Sequence, residues 1–443
     1  MSTSKDHCKI NNNPPIASDM YLFFVRHFND VDHIVPVIWE MAMNEYPVAV
    51  YCLNPEYDIN GDYRLNFLRK LGIDVDYVYN DVHHNLGIIH RILSFLFRLF
   101  FEIKRNSDND RGTNFTPLKK MIGRQAQIIG DRIYSFVKGR FYNIEWAFNF
   151  IKSKDAKALC FDWVKPKHSV VGVFLAAADR MSIPTLALPH GVFVYTNEDV
   201  VIESRPLPTY DKLNQYDGVI VQNDLFREIM ASSGLNREKI FALGSSRYCD
   251  KWIKQNKKLL PRVLGSDTNH GQKLRVVLMT TKLRYRINIE KLLSTLDFLV
   301  KYDAIEAKIK PHTRTAQESY IYENLPIDDA ADISSVELCE WADVVLVIAT
   351  SIMLESLIQD KPVLYLKYLH ENTTNYEKYG ACWIIRSEAE LKGALEALAE
   401  NIKNVPYPND NVKRFISDIV YNNQMERDIL KDYVDFIVRF QKS

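Results

Sequence analysis

What this chain lacks narrows the field first. Its six cysteines stand at 8, 52, 160, 249, 339 and 382, and no two form a Cys-x-x-Cys pair. Neither a zinc ribbon nor a disulfide scaffold is implied, and the usage fits a reducing cytoplasm. Lys and Arg total 56 and Asp and Glu total 56, so no overall field recruits nucleic acid. No stretch reaches the roughly 18 uninterrupted apolar residues of a membrane span. The opening stretch MSTSKDHCKINNNPPIASD has no apolar segment of the signal-peptide kind, and residues 1–19 read as a disordered leader. Neither Gly-x-x-x-x-Gly-Lys-Ser/Thr nor Gly-x-Gly-x-x-Gly occurs, which removes the P-loop and dinucleotide fingerprints. Gly-x-Ser-x-Gly is absent too, and that weakens a hydrolase reading.

What is present is alternation. At 443 residues, 47% hydrophobic and 25% charged, the chain is an ordinary globular protein of two or three domains. Short β-rich runs such as MYLFFV, VAVYCL, ALCFDW and GVIVQN alternate with helical segments, the signature of βαβ units around a parallel sheet. A helical insert is expected over about 87–152. The polar stretch 261–273, bounded by Pro261, reads as a linker. Beyond it the alternation restarts with LRVVLMTT, EAKIKPH, DVVLVIA and PVLYLK. A helix over Ile287–Tyr302 places Ile289, Leu292, Leu293, Leu296, Leu299 and Val300 on one face. The expectation is an α/β protein. It has a Rossmann-like domain over 20–260, a second over 274–409 facing it across a cleft, and C-terminal helices over 410–443 packing back toward the first.

Ligands of open α/β sheets bind at the carboxyl ends of strands, so the residues just after each run carry the interest. The stretch LALPHGVF (Leu186–Phe193) sets His190-Gly191 at the mouth of a buried strand, either as a turn or as a cleft-facing imidazole. The loop RHFNDVDH offers Arg26, His27, Asp30, Asp32 and His33, and Asp162 ends another run. Histidines interspersed with aspartates in this way match no metal-ligand spacing, so no metal is expected. In the second half, Lys282 and Arg284 follow one strand and Lys310, His312 and Arg314 follow another. Cations so placed suit a diphosphate or incidental solvation. Thr350 or Ser351 begins a helix, as a plain cap or beside a bound anion. Glu355 falls one place late for a reciprocal capping box, and either favours the helix start or turns outward to a ribose.

In order, LPHGVF, LGSSRYCDKW, MTTKLRYR, KIKPHTR and ADVVLVIATSIMLESLIQDKPVLYL resemble the motif series of the CDP-glycerol glycerophosphotransferases and related bacterial surface-carbohydrate transferases of the GT-B fold. The resemblance spans about Thr185 to Tyr368. It implies a metal-independent glycosyltransferase that needs no cofactor and moves a sugar from a nucleotide-activated donor to a glycan or lipid-linked acceptor. His190 would be the base; should it be a turn residue, the base is to be sought among Asp30, Asp32 and Asp162. Gly244, Arg247, Lys282, Arg284, Lys310, His312, Arg314, Thr350, Ser351 and Glu355 would serve the donor. TSIML replaces the family's aspartate-tyrosine-serine-serine run and LPHG lacks its tryptophan, which favours a sugar over glycerol phosphate as the transferred group. The same architecture serves UDP-N-acetylglucosamine epimerases, the alternative reading. A glycerophosphotransferase and a non-catalytic nucleotide-sugar binding subunit are further ones.

The run IIHRILSFLFRLFFEIKR (Ile88–Arg105) carries Arg91, Ser94, Arg98, Glu102 and Arg105 at helical steps opposite a broad apolar face. Such a helix packs inside the insert or lies on a membrane. The expected location is the cytoplasm, at the inner face of the plasma membrane if that helix is interfacial.

Overall fold

The computed structural model describes residues 19–84, 142–166, 170–197, 209–264, 273–312 and 328–442. Residues 1–18 of the leader, most of the expected insert with its 88–105 helix, most of the expected linker and Arg314 lie outside the described residues.

Among the described residues, seven strands form the first sheet: β1 (Met20–Val25), β2 (Val48–Cys52), β3 (Asp74–Tyr77), β4 (Ala156–Asp162), β5 (Thr185–Leu188), β6 (Gly218–Val221) and β7 (Ile240–Ala242). All pairings are parallel, in the order β3-β2-β1-β4-β5-β6-β7. A parallel sheet is covered on both faces, so its strands need continuous apolar runs. Tyr21–Val25 accordingly lie fully inside, at 2% exposure or less. On one face Phe24 stacks on Phe161 at 4.5 Å and meets Phe174 at 4.7 Å.

The second sheet holds β8 (Leu274–Met279), β9 (Ile305–Lys310), β10 (Asp328–Asp329), β11 (Val344–Val347), β12 (Val363–Leu366) and β13 (Trp383–Ile385). It too is parallel, in the order β10-β9-β8-β11-β12-β13. The helix Ile289–Lys301 starts where Asn288 accepts from the Lys291 amide, and it buries Leu292, Leu296 and Leu299. Leu293, expected on the same face, points outward at 39% exposure, because one residue turns a helix by about 100°.

Two helices end the chain, Asn409–Val420 and Ile429–Arg439. They return to the first domain. Asn223 Nδ2 donates to the Ile419 carbonyl (2.9 Å), the Ser245 amide to that of Val420 (2.8 Å), and the Tyr433 hydroxyl to that of Gly244 (3.0 Å). Among the described residues no helix is long and apolar enough to cross a membrane.

Candidate functional site

Each strand order reverses once, between β1 and β4 in the first sheet and between β8 and β11 in the second. Crevices open outside the strand ends at such points. In the first domain the crevice is charged. Arg26 and His27 follow β1, Asp162 closes β4, and His190 follows β5. The expected long loop after β1 is short, since the helix Phe28–Met43 begins at once and carries Asp30, Asp32 and His33 in its first turns. Its polar opening residues hide the apolar period until Val31.

Asp162 and Asp30 have no exposed surface. Arg26 spans both oxygens of Asp162, with its Nε at 2.9 Å from Oδ1 and an Nη2 bond to Oδ2. The Arg26 amide donates to Asp30 Oδ2 at 2.9 Å. Two imidazoles then face carboxylates: His190 Nδ1 lies 3.2 Å from Asp162 Oδ2, and His27 Nδ1 lies 3.0 Å from Asp30 Oδ1. The rings stand edge-on, with centroids 6.4 Å apart. Trp163 backs His190 at 5.4 Å. Burial would raise the Asp162 carboxyl, but the Arg26 guanidinium and His190 outweigh it and hold the group well below the usual carboxylate range. Asp162 is thus a fixed anion, and an imidazole whose Nδ1 lies beside a carboxylate leaves Nε2 for proton exchange.

Asp30, Asp162 and His190 also offer one ligand atom each within 4.8 Å of one another. The guanidinium spanning Asp162 already supplies the positive charge a metal would bring there.

Deeper in the crevice, Arg64 is fully buried and bonds Asp62 and Asp32, while Arg247 Nη1 reaches Asp32 Oδ2 at 2.8 Å. Arg247, expected at the donor, thus ties the loop after β7 to the first helix. Gly244 is a packing position. Its φ is +89° and an added Cβ would meet Ile429 at 2.8 Å.

In the second domain, Thr350 and Ser351 face the loop after His190. A narrow crevice is lined by both together with Val192, Val194, Asn375 and Tyr376. Ser351 precedes the helix Ile352–Ile358 without capping it through its side chain. Glu355 does not turn outward. It is 3% exposed and accepts from Gln359 Nε2 at 2.8 Å, and burial raises its carboxyl against the pull of Gln359 and Arg247. Lys310 turns inward as well, donating to the carbonyls of Ala330, Ala331 and Ile333. His312 is partly exposed beyond it, and Lys282 precedes a short helical turn, Leu283–Tyr285, that contains Arg284, both in partly exposed positions.

The sequence matches no protein-family model and none of the curated proteins. Solved structures do match. S. aureus MnaA, solved with UDP, is 12% identical over 92% of this chain and 97% of its own, with a TM-score of 0.50. A variant of the wall teichoic acid polymerase TagF is 14% identical over 96% and 89%, also at 0.50. The fold is the GT-B arrangement. A UDP-N-acetylglucosamine 2-epimerase from Rickettsia bellii, at 14% identity over 95% and 98%, scores 0.48. The GT-B neighbours are enzymes of nucleotide sugars and bacterial surface carbohydrate.

Sequence reading brought forward His190, Asp162 and Asp30, and the structure gathers all three. It passed over Gln222 and Asn375, which hold the loop after His190 by its carbonyls. The Thr374-to-Glu377 spacing announces a capping box, but no sequence signal announces that Asn375 reaches another domain.

Proposed function

We propose that this chain changes the configuration of one carbon of a nucleotide-activated sugar, as an epimerase of surface-carbohydrate synthesis. The observation that carries this is the pair of imidazole–carboxylate couples, His27–Asp30 and His190–Asp162, with ring centroids 6.4 Å apart. Inversion beside the anomeric carbon removes a proton from one face while the electron pair expels the nucleotide diphosphate as a double bond forms; returning the diphosphate to the anomeric carbon and a proton to the opposite face completes it. It needs two proton carriers facing across a small gap, each within about 3 Å of its target. Atoms and charge then balance without a co-substrate. The nucleotide would lie toward Thr350, Ser351, Lys282, Arg284 and His312. On this reading no metal or other cofactor takes part.

Transfer to an acceptor is the second reading. It needs only His190–Asp162 as base, and the motif series from Thr185 to Tyr368 supports it. Incubation with UDP-N-acetylglucosamine in deuterated water, without acceptor, separates the two. An epimerase yields a sugar of new configuration carrying deuterium at the inverted carbon. No exchange and no new sugar, together with transfer once a lipid-linked glycan is added, would establish the transferase instead.

A further inference from the structure

We propose that Asn375 is a positioning residue for His190: it hooks the loop that carries the histidine onto the second domain, so that the imidazole follows that domain's position. This rests on the reading of His190 as a proton carrier.

The loop leaves β5 and is anchored twice. At Gly191 the anchor belongs to the first domain, where Gln222 Nε2 donates to the Gly191 carbonyl. From Phe193 onward the anchors belong to the second. Asn375 Nδ2 donates to the Phe193 carbonyl and the Asn375 amide to the Val194 carbonyl, both at 2.8 Å. Tyr195 then pairs antiparallel with Thr374, and the Thr196 amide donates to the Thr373 carbonyl at 3.0 Å. Asn197 and Asn372 close the set at 3.1 Å.

Only Val192 separates the two anchor points. Two residues of chain span at most about 7 Å, so the segment has little slack. A shift of one domain against the other is taken up by rotation around His190–Val192 or by breaking an anchor. Asn375 is the second-domain anchor nearest the histidine, and at 3% exposure it is shielded from competing water. Nucleotide held by the second domain and proton transfer in the first are coupled through this side chain.

The test uses the full chain. Asn375→Ala removes the side-chain donor, and Asn375→Asp removes it at constant size should the alanine variant fold poorly. Amide exchange over 189–197, without ligand, is expected to quicken by about tenfold while β5 is unchanged. Unchanged exchange overturns the inference whether or not the enzyme turns over. With UDP-N-acetylglucosamine as substrate, kcat should fall by about tenfold or more while UDP affinity by calorimetry holds. The Thr196 and Thr373 hydroxyls lie 3.2 Å apart, so Thr196→Cys with Thr373→Cys can close the same clasp covalently. Oxidising that pair in the Asn375→Ala background should restore kcat, and reduction should remove it. A slow variant that the disulfide leaves slow also overturns the inference. Absence of any turnover in the wild type counts against the proposed function alone, and the exchange measurement still decides this one.

Discussion

Arg26 holds both carboxylate oxygens of Asp162, and no part of that carboxylate reaches solvent. A buried charge deprived of its partner is costly, so Arg26→Met should destabilise the fold by about 3–5 kcal/mol in urea unfolding. The Asp162 carboxyl lies well below its ordinary value of 3.8 in the folded protein. Its stabilising contribution is therefore complete above that value and is lost as the pH falls through the lower, folded one. Asp162→Asn should flatten stability against pH below 3.8, and an unaltered acid limb would disprove this.

His370 predicts a second window. Burial, helped by Lys367, lowers its imidazole from 6.5 to about 4. Between those values the unfolded chain takes up a proton that the folded protein refuses, so stability should decline as the pH drops from 6.5 toward 4, by about 3 kcal/mol in all. His370→Gln should remove this part of the slope in urea midpoints taken across that range. An identical slope in the variant would show that another group is responsible.

Two glycines should respond in opposite directions. At Gly244 a methyl group would meet Ile429 and the Val420 carbonyl at a φ of +89°, so Gly244→Ala should cost about 2–4 kcal/mol. Gly393 lies exposed in the helix Glu388–Glu400, and a methyl group there would find nothing within 4 Å. Gly393→Ala should stabilise by about 0.5–1 kcal/mol. Thermal unfolding of the two variants against wild type checks both signs.

Lys310→Met tests what that lysine serves. Its ammonium donates to three backbone carbonyls, and leaving them unsatisfied should cost about 2–3 kcal/mol. UDP affinity should stay within about twofold if phosphate contacts lie elsewhere, roughly the smallest change calorimetry separates from a lost contact. A large loss of affinity in a stable variant would return the lysine to the ligand.

The fold class is readable from the chain because buried parallel strands demand unbroken apolar runs, and MYLFFV or DVVLVIA can hardly be anything else. Strands of three residues such as β7 and β13 are too short to carry a period, and they escape. Asp30 and His33 read as loop residues because a polar first turn masks a helix start. His190, Asp162 and Asp30 stand at strand ends or just beyond, where topology concentrates function, and so their meeting is foreseeable. Lys310 and Glu355 show the opposite case. A charged residue after a strand looks the same in sequence whether its head faces a ligand or, as here, a carbonyl or a neighbouring glutamine. Nothing local distinguishes Asn375, because its partner lies 182 residues away.

The return of the last two helices to the first domain sets an order of assembly during synthesis. The first seven strands leave the ribosome long before Ile429–Arg439, which packs on the helix Phe28–Met43 and on Gly244. The domain made first is therefore completed only after the whole second sheet has been translated. Until those helices emerge, its surface around Gly244 and Asn223 waits uncovered. A stalled or shortened chain would leave the earliest-made half, not the latest, exposed to proteolysis and aggregation.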